Sequence, residues 1–248
     1  VGQVASLAFP PLSKNTKRKS KQPTPLIDPQ IVKTKKHPLT SEQTTCFNKI
    51  SATPGFGVHL LFGVTGSGKT EVYLELFEEV LKSGKQGIFL VPEIALTPQL
   101  VNRFVARFGD AIGVIHSHLT EREKTTQWWE MCEARKQILI GARSALFCPL
   151  PNLGLIVVDE EHEQSFKQDE KLRYHARDAA VMLAKLSDIP VVLGSATPSM
   201  ETWHNAVTGK YQLHEMKYRV ENRAMPTIEI VDLKKAEPQT TLPFWLSP

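Results

Sequence analysis

Gly63-Val64-Thr65-Gly66-Ser67-Gly68-Lys69-Thr70 sets glycines, one lysine and one hydroxyl at the spacing G-x-x-x-x-G-K-T, directly after the apolar run Leu60-Leu61-Phe62. Glycines at 63, 66 and 68 let the backbone bend so that successive amides converge on a phosphate at the positive end of a following helix. Lys69 would then reach the β- and γ-phosphate oxygens as a compact cation, and the Thr70 hydroxyl would ligate the magnesium ion that bridges them. The stretch predicts a nucleoside triphosphate site built from Gly63, Thr65, Gly66, Ser67, Gly68, Lys69 and Thr70. A second group of reactive residues follows Leu155-Ile156-Val157-Val158, where Asp159-Glu160-Glu161-His162 stand at the carboxyl end of an apolar strand. Open α/β sheets place ligands at such ends. Asp159 is suited to the magnesium shell, Glu160 to positioning and deprotonating an attacking water, and His162 to coupling that site to its surroundings. A third apolar run, Val191-Val192-Leu193, ends in Gly194-Ser195-Ala196-Thr197-Pro198, and Ser195 and Thr197 could hydrogen-bond the acidic site and move with it.

The elements that must position these residues follow from periodicity. Short apolar runs at 58–64, 87–91, 112–115, 137–140, 153–158 and 191–193 predict buried strands, and 71–81, 96–108, 121–135 and 177–186 predict helices by apolar spacings of three and four. Strands alternating with helices imply an α/β fold, a mostly parallel sheet covered by helices on both faces. Beyond Gly209, the runs 211–216 and 227–233 read as strands of a tail different in kind, without a second set of β–α units. Residues 1–38 form a Lys/Pro-rich linker with eight cations against Asp28, residues 39–235 the globular domain, and 236–248 a lead-in to whatever follows. The linker carries +7 of a net +4, so the remainder is acidic; a polyanion could feel it, or it could simply be a solvated spacer.

The 248 residues contain no apolar run of spanning length, and the three cysteines, Cys46, Cys132 and Cys148, are odd in number and far apart. A membrane protein, a disulfide scaffold and a four-cysteine zinc site are disfavoured, and a reduced cytoplasmic compartment is expected. Trp128 and Trp129 fit the packing face of a helix, and His116 with His118 lack the acids or thiols of a metal centre.

The order of the three motifs resembles that of superfamily 2 helicases, with a RecA-like P-loop domain. Gly63 to Leu74 (GVTGSGKTEVYL), Leu90 to Gln99 (LVPEIALTPQ), Gly141 to Phe147 (GARSALF), Asp159 to His162 and Gly194 to Pro198 together are similar to the PriA family of bacterial replication-restart helicases. Arg173-Tyr174-His175-Ala176-Arg177-Asp178 matches that family's aromatic-rich loop, although Leu172 stands where an additional Trp is often found.

The resemblance implies ATP and Mg²⁺ as cofactors, 3′-to-5′ unwinding, single-stranded and forked DNA as partners, primosome and single-strand-binding proteins as associates, and the bacterial cytoplasm. It implies that Gln43 reads the adenine, the alternative being a helix cap set by Thr40 or Ser41. It makes Thr97 and Arg143 candidates for DNA phosphate contacts, with an ordinary surface arginine as the alternative for Arg143. Arg173, Tyr174 and His175, with Phe166, Lys167, Lys171 and Arg177 nearby, supply aromatic faces and cations on which single-stranded bases could stack; a plain lead-in to a helix is the other reading. The second RecA-like lobe, its arginine and the zinc-binding insertion of the family have no counterpart in the sequence. A fragment that binds ATP but hardly hydrolyses it is expected, with a non-catalytic ATP- and DNA-binding module as the competing reading.

Overall fold

The computed structural model describes residues 37–169 and 172–220. Residues 1–36 of the linker, Lys171, the run 227–233 and the lead-in 236–248 lie outside the described residues.

Seven parallel strands form one sheet: β1 (Gly57–Gly63), β2 (Gln86–Leu90), β3 (Ile112–Ile115), β4 (Ile138–Gly141), β5 (Leu153–Asp159), β8 (Pro190–Ser195) and β9 (Gln212–Met216). Their spatial order is β3-β4-β2-β5-β8-β1-β9. Between β5 and β8 the chain forms a short antiparallel pair, β6 (Lys167–Gln168) and β7 (Tyr174–His175), in which Lys167 faces His175. The helices are α1 (Ser41–Ser51), α2 (Lys69–Lys82), α3 (Pro98–Phe108), α4 (Glu121–Cys132), α5 (Ala176–Ser187) and α6 (Met200–Val207).

Side chains alternate across each strand, so one apolar run serves two cores. Leu61, Phe89, Val157 and Val192 point to one face and pack against Val72, Tyr73 and Phe77 of α2 and Phe104 of α3. Leu60, Ile88, Ile156, Val158 and Leu193 point to the other and meet Ala176, Ala180 and Ala184 of α5. Alanines at a spacing of four give α5 a smooth stripe along the sheet. Trp128 packs against this second core and Trp129 is 47% exposed, as expected of a helix with one packing face.

The expected strands and helices are present, with ends shifted by a residue or a few. The run expected at 211–216 is the strand Gln212–Met216, which pairs in parallel with β1, His59 opposite Gln212 and Gly63 opposite Met216, and so completes the same sheet. The connecting α6 has only eight residues and buries Thr202 and Ala206, too small and too polar a face to show as a helical period.

Candidate nucleotide-binding site

Strand order decides where the chemistry meets. β8 lies between β1 and β5, so the carboxyl ends that carry Lys69, Ser195 and Asp159 stand side by side although 126 residues separate the first two in sequence. Lys69, Thr70, Asp159 and Glu160 line one cavity of about 810 Å³ with Gln43, Thr65, Gly66 and Gly68. That volume is within the range of small-molecule sites.

The phosphate loop has the backbone that its glycines predict. Gly66 and Gly68 adopt φ of +83° and +81°, left-handed values that a side chain resists. A Cβ at Gly68 would also fall 2.4 Å from Gln43 Nε2. Lys69 is 9% exposed, and its Nζ donates to the Gly63 carbonyl at 2.9 Å. The Ser67 hydroxyl is buried without a hydrogen-bond partner. A lysine folded back on its own loop, an orphaned hydroxyl and two left-handed glycines form an anion cradle. The carboxylates of Asp159 and Glu160 beside it complete a donor set that fits a magnesium-bound triphosphate.

Gln43 performs the capping role. Thr40 N–H donates to its Oε1 at 2.8 Å, the Thr40 hydroxyl accepts from Gln43 N–H at 3.3 Å, and Gln43 Nε2 donates to the Ser67 carbonyl at 2.9 Å. Its amide thus joins the start of α1 to the phosphate loop. Gln43 lines the cavity, and its carboxamide keeps one further donor and one further acceptor site beyond these bonds.

Asp159 accepts a hydrogen bond from the Tyr73 hydroxyl at 2.9 Å. Burial, helped by the neighbouring charge of Glu160, raises its pKa from 3.8 to about 6. Tyr73 was not singled out from the sequence, where it is one apolar position of a helix. The glycine of the third motif carries the trace of it: a Cβ at Gly194 would lie 1.7 Å from the Tyr73 oxygen. Glu160 has φ of +49°, a left-handed value for a branched-free but non-glycine residue, and such strain concentrates at functional sites.

The third motif contacts the second directly. His162 Nδ1 lies 2.9 Å from Ser195 Oγ, and its Nε2 lies 3.3 Å from Thr197 Oγ1. Glu160 Oε2 stands 3.7 Å from the same ring. Glu161, which sequence reasoning passed over, is fully buried and accepts from Ser199 N–H at 2.8 Å, Thr202 Oγ1 at 2.9 Å and Arg177 Nη1 at 3.1 Å. It ties the acidic strand end to α5 and α6. Its partners are 16 to 41 residues away, beyond any local pattern.

The candidate DNA contacts all follow carboxyl ends of the sheet but are not one cluster. Thr97 is exposed and caps α3, its hydroxyl accepting from Leu100 N–H at 3.3 Å. Arg143 is no idle surface arginine: its Nη1 donates to the carbonyls of Ser165 at 3.2 Å and Lys167 at 2.7 Å, anchoring the segment that leads into β6. Arg173 is exposed, and Tyr174 and His175 are half-buried on β7, Tyr174 edge-on to Phe147 at 5.1 Å. Phe166 corrects the expectation for this segment. It is 1% exposed in the second core, so it anchors the loop and presents no face for stacking. On the other side, Arg103 pairs with Glu71, and Arg107 with Glu75 at 2.6 Å, joining α3 to the helix of the phosphate loop. His116 and His118 follow β3 with rings 5.9 Å apart, and among the described residues no group of three His, Cys, Asp or Glu side chains could hold a metal ion. No helix among the described residues is long and apolar enough to cross a membrane.

A parallel sheet with a phosphate loop on one strand end, paired acids on another and a hydroxyl pair between them defines a RecA-like motor domain. The family profile described as DEAD/DEAH box helicase matches residues 40–206, and the chain belongs to that family. Its curated relatives include the replication restart protein PriA of Bacillus subtilis (strain 168), 48% identical over 214 residues, which are 85% of this chain and 27% of that protein. PriA of Chlamydia pneumoniae is 51% identical over 199 residues, 79% of this chain and 27% of that protein. The resemblance read from the motifs therefore holds along most of the chain, which spans about a quarter of the length of these relatives. Among solved structures, RecG bound to a three-way DNA junction superposes with a TM-score of 0.52 at 22% identity, covering 79% of this chain and 25% of that one. The Pyrococcus furiosus Hef helicase domain gives 0.52 at 18%, covering 71% and 37%. These similarities support the RecA-like fold.

Proposed function

We propose that this chain is the first motor lobe of a replication-restart DNA helicase, which binds ATP with Mg²⁺ between the phosphate loop and the Asp159-Glu160 pair. The observation that carries the reading is the single cavity shared by Lys69, Thr70, Asp159 and Glu160. Magnesium, when bound, neutralises phosphate charge and orients the terminal phosphoryl group. Thr70 and Asp159 would hold it. The loop amides and Lys69 bind the phosphates, Lys69 exchanging its bond to Gly63 for phosphate oxygens. Glu160 orients a water and takes its proton. His162, in contact with Ser195 and Thr197, passes the state of that site to the third motif. Thr97, Arg143, Arg173, Tyr174 and His175 contact single-stranded DNA along the carboxyl edge of the sheet. Unwinding of forks with 3′-to-5′ polarity, work with primosome and single-strand-binding proteins, zinc bound elsewhere in the relatives' length, and a bacterial cytoplasmic setting accompany this reading.

In motors of this kind a second lobe contributes an arginine, a type of contribution worth roughly 10³ to 10⁵ in rate in phosphoryl-transfer enzymes. The 248-residue chain alone is therefore expected to bind ATP and turn it over slowly. The test is nucleotide titration followed by ATPase measurement with and without single-stranded DNA and an added second lobe, using Lys69→Ala and Glu160→Gln. Loss of binding in the first variant, and of turnover but not binding in the second, supports the reading. Failure of the wild-type chain to take up ATP, or DNA-dependent turnover unaffected by Glu160→Gln, would falsify it.

A further inference from the structure

We propose that Arg219 is a phosphate-binding residue of the same cavity, supplying a guanidinium to the nucleotide from outside the three motifs. The inference rests on the nucleotide reading of the cavity and adds a contact to it. Arg219 lies beyond residue 206, where the helicase family profile ends.

The segment after β9 is fastened over the phosphate loop. Val64 N–H donates to the Met216 carbonyl at 3.2 Å, and Val220 N–H donates to the Gly66 carbonyl at 3.0 Å. Between these two points, the Lys217 and Tyr218 amides donate to the Glu42 carboxylate at 3.3 and 3.2 Å. The chain is thus tied to the loop at both ends and to α1 in the middle, and Arg219 is carried to the loop's side. A Cβ built on Gly66 would lie 3.8 Å from Arg219 Cγ, and the side chain lines the cavity together with Lys69.

The other arginines near the site have partners. Arg103 is bound by Glu71, Arg177 by Glu161 and Asp178, and Arg143 by main-chain carbonyls. Arg219 makes no side-chain hydrogen bond or ion pair among the described residues, and its Nε is buried without an acceptor. A cation with a buried, unsatisfied donor is costly unless an anion meets it. A phosphate chain does so, because the planar fork of a guanidinium matches phosphate oxygens. Val220, whose Cγ2 would lie 3.0 Å from a Cβ on Gly68, closes the loop's flank beside it.

The test is calorimetric titration of the 248-residue chain with MgATP and with magnesium pyrophosphate, which has no base or sugar. Arg219→Ala is expected to weaken both ligands by roughly 10- to 100-fold, the range for a charge-assisted hydrogen bond, with Arg219→Lys recovering part of the loss. Arg219→Gln, which keeps part of the stem and a polar head without the charge, carries the comparison if the alanine variant melts early. Binding within twofold of wild type in the alanine and glutamine variants, while Lys69→Ala loses affinity, overturns the proposal and leaves the nucleotide reading standing. Weaker ATP with unchanged pyrophosphate places Arg219 on the base or sugar and also overturns it. Absence of ATP binding by the wild-type chain removes the nucleotide reading itself.

Discussion

Replacing Asp159 with Asn tests whether the acid of the second motif is held ready for a cation. In the metal-free protein its pKa is raised from 3.8 to about 6 by burial and by Glu160. Between those values the native state keeps a proton that the unfolded chain releases, so the stability contributed by this residue falls as pH rises through the window and is constant above it. A displacement of about two pH units corresponds to about 3 kcal/mol, and because the carboxylate retains some access to solvent, about 2–3 kcal/mol is the expected effect. Asn keeps an oxygen to accept from Tyr73 but carries no charge. Urea unfolding in the presence of a chelator should therefore show the Asn variant gaining about 2–3 kcal/mol on wild type between pH 4 and pH 7. MgATP at about 100 times its Kd should cancel most of that advantage at pH 7, since it stabilises wild type by about 2.7 kcal/mol while the Asn variant binds the cation poorly. A stability difference that is flat across this range, or that moves against the Asn variant as pH rises, refutes the reasoning.

Gly194→Ala should destabilise by about 1–3 kcal/mol because its methyl group occupies the position of the Tyr73 oxygen. Tyr73→Phe in the same chain should restore part of that loss, and an additive double-mutant cycle in urea unfolding argues against the contact. Glu161→Gln should cost about 3 kcal/mol by leaving Arg177 without its buried counter-charge, seen as a clear drop in Tm; an unchanged Tm contradicts the linking role. His59 and His214 share a buried contact at 3.0 Å, and burial lowers the pKa of each from 6.5 to about 4. Both are neutral in the native state, so stability should be lost as pH falls from about 6.5 towards 4, and His59→Gln should flatten that dependence in melts between pH 7 and pH 5.

Much of the architecture could be read from the sequence because its signals are local. The runs ending in Gly63, Asp159 and Ser195 are apolar enough to be buried on both faces, which marks central parallel strands. The phosphate loop is contiguous, so its spacing alone defines its backbone. What escaped depends on contacts between distant segments. Glu161 looks like one more acid in an acidic turn until α5 and α6 close over it. Tyr73 reads as core because its ring is core, and only its oxygen reaches Asp159. Phe166 reads as a surface aromatic because its neighbours, Gln164, Ser165, Lys167 and Gln168, are polar, yet it is the side chain that roots the loop. Gln43 admitted two roles in the sequence; the capping box with Thr40 is local, whereas the bond to the Ser67 carbonyl, 24 residues on, could not be read from it.

The placement of β8 has a mechanical consequence. The two strands that deliver the lysine and the acids share no ladder with each other, and each is hydrogen-bonded instead to the strand that ends at Ser195. Separating them means shearing two rows of main-chain bonds through the middle of a buried sheet, so the floor of the cleft behaves as a stiff plate. Any stroke made by this domain must be generated in the turns above that plate, and those turns end on the third motif, the β6–β7 ribbon and the first residues of α5 and α6.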